Sequence, residues 1–149
     1  MELRDWTIPR AKVPLPGKRK LGEEAPYFEV RGLCADDLTF LVTMHHAPIT
    51  KALIVYQEQR ERIMKGGNAL TDFLLTLARD FPDLVAEVIS AATDSLDDLT
   101  RQNARKLPFT TQLMALNEIV KLSMEDVGGL KNLLAEMRAR VADANGAKS

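Results

Sequence analysis

The stretch from Pro82 to Thr93 constrains the fold more than any other part of the chain. Wound as a helix, it carries Leu84, Val85, Val88, Ile89, Ala91 and Ala92 around most of its circumference. A helix apolar nearly all round has no side to give to water, so other elements must pack about it. Pro82 marks its start, because proline is tolerated in a first helical turn and breaks a later one. With 149 residues, 46% of them hydrophobic, the chain is large enough to build that packing as a single domain.

The neighbouring segments supply the covering helices. Asp36 to His45 reads as a first helix, with Asp36 and Asp37 suited to the positive end of the helix dipole. A second runs from about Pro48 to Lys65, with Ile49, Leu53, Tyr56 and Ile63 on one face, and stops at Gly66-Gly67. Leu70, Phe73, Leu74 and Leu77 mark a third. Asp94 to Lys106 is polar and weakly periodic, either a loop or a marginal helix. Leu107-Pro108 opens an amphipathic helix with Phe109, Leu113, Leu116, Ile119 and Val120 as its core stripe. A last helix follows Met124-Glu125-Asp126, with Leu130, Leu133, Leu134, Met137 and Val141 on one side.

The N-terminal segment has a different character. Prolines 9, 14, 16 and 26 remove amide donors and favour extended backbone, so residues 1–26 read as an extended arm. The ordinary reading of such a segment is a mobile tail; the alternative is a docking arm with Trp6 and Ile8 as apolar anchors. Tyr27 to Leu33 alternates apolar and polar as a strand does, and a piece near Thr7 and Ile8 could pair with it. The expected architecture is mainly α: a compact helical bundle of about six helices with a short N-terminal β element and the proline-rich arm. The bundle would occupy residues 27–143, and residues 144–149 would fray.

Catalytic chemistry finds little support. The adjacent His45 and His46 diverge by about 100° on a helix and do not converge on a metal. Cys34, the single cysteine, precedes two aspartates that disfavour a thiolate. Asp94, Asp97 and Asp98 lack the glycine and the ligand spacing of a calcium loop. Gly66-Gly67 and Gly128-Gly129 lack the context of a phosphate loop. No enzyme, cofactor or metal is therefore expected. A net charge of −1 and 5% aromatic residues disfavour nucleic-acid binding, including by a helix-turn-helix. The first residues lack a signal peptide's apolar stretch, and no apolar run reaches the roughly 20 residues of a membrane span.

Protein binding remains. Ile54, Val55, Leu75, Met114 and Leu122 lie outside the best stripes, and methionines at 44, 64, 114, 124 and 137 fill core gaps or give an adaptable surface, core filling being the more ordinary use.

The order of segments adds to this reading. Asp5-Trp6-Thr7-Ile8-Pro9-Arg10 with Val13-Pro14-Leu15-Pro16-Gly17, then Phe28 to Leu33 with Asp36-Asp37-Leu38, resembles the opening of tail assembly chaperones from long-tailed phages. Pro82 to Ile89 is similar to their central helix, and Leu107-Pro108 with Gln112-Leu113, Ala115-Leu116, Ile119 and Leu122 to their penultimate one. The resemblance spans most of residues 5–136; Cys34 and the basic run Lys18-Arg19-Lys20 depart from it. It implies a protein of the host cytoplasm that coats the tape measure protein and helps recruit tail tube protein, with homo-oligomerisation left open. On this reading Trp6, Ile8, Ile54, Leu130, Leu133, Leu134 and Met137 contact the partner. The alternative is a small structural virion protein of the tail or head-tail connector, its arm laced between subunits.

Overall fold

The computed structural model describes residues 1–17, 20–124 and 137–143. A short 3-10 turn, Leu3–Asp5, precedes strands β1 (Arg10–Pro14) and β2 (Tyr27–Arg31). Helices α1 (Ala35–Met44), α2 (His46–Met64), α3 (Ala69–Asp80), α4 (Pro82–Ala92), α5 (Asp98–Lys106) and α6 (Phe109–Met124) follow. Residues 137–143 are also helical. The molecule is mainly α with one two-stranded sheet, as the periodicity requires.

Helix α4 holds the middle. It touches α1, α3, α5, α6 and β2, and eight of its eleven residues are buried. Fully burying an Ile, Leu or Val contributes about 1.5–3 kcal/mol, and Val85 and Ile89 are both within 2% of complete burial. Single residues join its neighbours. His45 ends α1, its N–H donating to Leu41 O, and starts α2, its carbonyl accepting from Ile49. The two helices meet there at a bend of 109°. Phe81 does the same between α3 and α4. Gly66 and Gly67 turn α2 into α3 at φ of +84° and +76°, where a side chain would be strained.

Two expectations change, and one alternative left open is decided. The strand partner is Arg10–Pro14 rather than Thr7 and Ile8; Val13 lies opposite Phe28, and Pro14 takes the strand's end, where its missing N–H matters least. The segment between Asp94 and Lys106 is a helix from Asp98, capped by Asp97, whose carboxylate accepts from Thr100 N–H at 2.7 Å. In α6 the buried stripe is Thr111, Gln112, Ala115, Leu116, Ile119 and Ser123, while Phe109 in the first turn is 44% exposed. Polar side chains disguised that stripe. Gln112 Nε2 donates to Ala104 O at 2.9 Å, and Ser123 Oγ donates to Ile119 O at 2.7 Å.

The sheet's inner face is Ala11, Val13, Phe28 and Val30, with Val13 and Val30 sealed. Arg31 closes the strand. Its guanidinium bonds Asp37 on α1 at 2.6 Å, Asp94 after α4 at 2.7 Å, and the Ala91 carbonyl at 3.0 Å. Asp94 also receives Arg10 Nη2 at 2.6 Å. Those two arginines hold Asp94 at φ +62°, a left-handed conformation unusual away from glycine. Asp37 reaches back to the Cys34 N–H at 2.7 Å and so caps α1. Gly32 then brings the chain against α6 so closely that an added Cβ would sit 2.8 Å from the Leu122 carbonyl carbon and from Ser123 N. The Leu33 N–H completes the contact by donating to Ser123 Oγ at 2.9 Å.

Two stability tests follow from this corner. Gly32→Ala has only backbone to push against, so it should cost about 1–3 kcal/mol and lower Tm by roughly 3–10 °C. A thermal melt unchanged within error would show that α6 can yield. Removing Arg31 leaves Asp37 half-buried without its cation, so Arg31→Ala should cost about 3 kcal/mol in urea unfolding, the low end for a buried pair because Asp94 is open to water. Burial pushes the Asp37 and Asp94 carboxyls up, but hydrogen bonds from Arg31, joined by the Cys34 N–H at Asp37 and by Arg10 at Asp94, hold both below the ordinary 3.8. Depressed carboxylates stabilise fully above the unfolded pKa, and the contribution is lost as pH falls through their folded values. The wild type should therefore lose more stability than Arg31→Ala as pH drops below about 4. Parallel pH profiles would exclude this linkage.

Candidate protein-binding surface

The described apolar surface is spread over several elements. Met44, Ile54, Met64 and Met114 are 59%, 52%, 51% and 41% exposed. Three of the methionines thus stand outside the core that methionine ordinarily fills. Val55, Leu75 and Leu122 are half-buried. Trp6 is 49% exposed beside the 3-10 turn, and Ile8 is half-buried.

Ile54 belongs to a definite feature. With Thr50, Leu53 and Gln57 of α2 it faces Arg138, Val141 and Ala142 across a groove of about 220 Å³. Val141 is buried there. Met137 sits one turn earlier and is half-buried against the core. It also borders a recess of about 110 Å³ between α2, α3, α4 and α6. Half-buried Leu33, Leu70, Leu77, Val88 and Val120 complete that border. Ile54 and Met137 therefore flank one region of the bundle, and Trp6 and Ile8 do not line it. Leu130, Leu133 and Leu134 lie outside the described residues.

Of the residues weighed for chemistry, His45, Asp94, Asp97 and Asp98 have structural partners, whereas the buried His46 Nε2 has none. His45 Nε2 lies 3.2 Å from the Glu87 carboxylate, which also receives Arg101 Nε at 2.6 Å. Glu87 itself is 5% exposed on α4, a buried charge held between α1, α4 and α5. Cys34 is an exposed free thiol at the start of α1. Asp94 is held by its arginines and Asp97 caps α5, so the acidic run is divided between two jobs. Among the described residues no group of three His, Cys, Asp or Glu side chains could hold a metal ion, and no single helix is long and apolar enough to cross a membrane.

Sequence reasoning did not single out Glu87, Arg101 or Arg31. Glu87 alone had a signal, as the one acidic residue inside an otherwise apolar helix turn. Such a position needs a cation from a neighbour.

No curated protein and no solved structure matches the chain. The sequence model of one family, described as pre-tape measure protein, matches residues 1–149. A match that runs from end to end settles kinship: the chain belongs to the pre-tape measure protein family.

Proposed function

We propose that this protein is a phage tail assembly chaperone, acting in the host cytoplasm, that binds the tape measure protein and helps recruit tail tube subunits. The family match carries the reading, because it ties the chain to tail assembly and to the tape measure protein. The surface supports it. Exposed Met44, Ile54, Met64 and Met114 offer adaptable apolar contacts to a helical client.

A tape measure chain left uncovered presents long amphipathic faces that aggregate. A protein that covers them needs many modest contacts, since tube subunits must later displace it. Such a task involves no bond making, and no catalytic step enters the reading. Trp6, Ile8, Ile54 and Met137, with Leu130, Leu133 and Leu134, are the proposed client contacts.

Co-expression with a tape measure fragment tests this. The fragment should move from the pellet to the soluble fraction and co-purify with the chaperone. Ile54→Asp should reduce recovery of the complex several-fold with the melt unchanged. Purified virions should lack the protein by mass spectrometry. A fragment that stays insoluble with no complex, or a stoichiometric virion component, would refute the proposal.

A further inference from the structure

The groove between α2 and the helix of residues 137–143 places a cation one turn away from an apolar floor. Leu53, Ile54 and Gln57 line it from α2, and Arg138, Val141 and Ala142 line it from the other side. Leu53 and Val141 are buried and form the floor, with Ile54 exposed at the rim. Thr50, the remaining α2 residue, is satisfied within its own helix, its Oγ1 donating to His46 O at 2.8 Å. Gln57 and Arg138 meet at one end. With the Gln57 amide oriented to satisfy both groups, its oxygen accepts from Arg138 Nε at 3.1 Å and from Nη2 at 3.2 Å.

Arg138 is the one charged side chain in this lining. Among the described residues no carboxylate pairs with it, and its partner is the neutral Gln57 amide. A guanidinium offers more donors than one oxygen can take, so the Nη1 side of the fork is left for an acceptor from outside. The amide holds the cation in place without neutralising it. The volume, about 220 Å³, falls below the roughly 300–1,000 Å³ of a small-molecule site and suits a side chain or two from another protein.

We infer that this groove binds a helix of a partner protein that carries a large apolar side chain and, three or four residues from it, an Asp or Glu. The apolar side chain lies on Leu53 and Val141 beside Ile54, and the carboxylate meets Arg138. The spacing follows from the lining. Arg138 stands three and four residues from Val141 and Ala142, and Gln57 stands three and four from Ile54 and Leu53. Both walls therefore change from apolar to polar over one helical turn, and side chains one turn apart on a facing helix match that interval. A carboxylate on a guanidinium is a charge-assisted pair with defined geometry, so the cation decides which helices bind and which way they lie. A helix with a basic residue at that place sets two cations together and is rejected. The inference rests on the chaperone reading and deepens it by naming the kind of client segment that Ile54 and its neighbours take.

The test titrates isotope-labelled full-length protein with alanine-based peptides and follows amide and arginine side-chain signals by NMR. The peptides are about 20 residues long, enough to be helical. One carries a leucine with a glutamate four residues before it and another four residues after it, which serves either orientation. A second has lysines in place of the glutamates, and a third has alanine in place of the leucine. The first peptide should shift the signals of Ile54, Val141 and the Arg138 side chain, with an affinity at least fivefold above that of the lysine peptide. The alanine peptide should bind at least fivefold more weakly than the first. Arg138→Glu should reverse the preference between glutamate and lysine. If its melt differs from that of wild type, Arg138→Gln replaces it and should abolish the preference. No shift at the groove with millimolar peptide, equal affinity for the first two peptides, or a preference unchanged by the Arg138 variant would overturn the inference. Self-association in sedimentation that the Arg138 variant abolishes would assign the groove to a second copy of the chain and overturn it as well. The peptides carry no tape measure sequence, so failure here leaves the co-expression result standing, and an insoluble tape measure fragment leaves the peptide preference standing.

Discussion

The guanidinium of Arg31 is where the sheet, α1 and the end of α4 become one body. Arginine suits the position because its planar fork offers several fixed donors, and here they reach two carboxylates and two backbone carbonyls. These four partners lie at three places in the fold. Asp37 fixes the start of α1, Ala91 and Asp94 fix the end of α4, and the Gly32 carbonyl fixes the turn between β2 and α1. Without this junction the hairpin would lie on the bundle by the inner-face contacts of Ala11, Val13, Phe28 and Val30 alone. With it, Gly32 is delivered against the α6 backbone, and the Leu33 N–H finds Ser123. The polar junction thus sets the register in which the apolar face of the sheet meets α4 and α6.

Charge recurs wherever α4 is covered by something other than a greasy helix. Glu87 is buried in its middle, between His45 at the α1–α2 joint and Arg101 on α5. A buried carboxylate is costly unless it is paired and hydrogen-bonded on both oxygens, and here each oxygen has its own partner. The pairing specifies orientation. Only an antiparallel helix that places Arg101 opposite Glu87 and Arg105 opposite Asp83 satisfies both acids. Elsewhere the covering is apolar, as in the edge-to-face contact of Tyr56 and Phe73, 5.8 Å between ring centres, where α2 packs on α3.

Elements that bury a continuous apolar stripe were legible in the sequence. The bounds of α1 to α4 fall within about two residues of those the caps, Pro82 and Gly66-Gly67 indicate. Where polar residues sit in the packing, legibility failed. Nothing in the hydrophobic pattern of Asp98 to Lys106 announces α5, because its contacts are ion pairs made across sequence gaps of 14 and 22 residues. Gln112 and Ser123 hid the true face of α6 because their partners lie in other elements or in the backbone. Arg31 occupied an outward position of a strand and looked solvated, yet a long side chain can turn back around an edge to reach carboxylates on α1 and after α4. Of the proposed contacts, Ile54 and Met137 converge on one region, a convergence that no spacing along the chain could have indicated.

Apolar and charged contacts specify different things in this fold. The recess bordered by Met137 is apolar, and apolar contacts with adaptable side chains hold many sequences about equally well. The α4 face beneath α5 is charged, and the chain itself covers it. Asp83 and Glu87, one turn apart on α4, meet Arg105 and Arg101, one turn apart on α5, so that a helix slid along this face by a turn would leave one carboxylate and one cation unmatched. Charge therefore fixes the position of a helix that has little apolar surface to fix it.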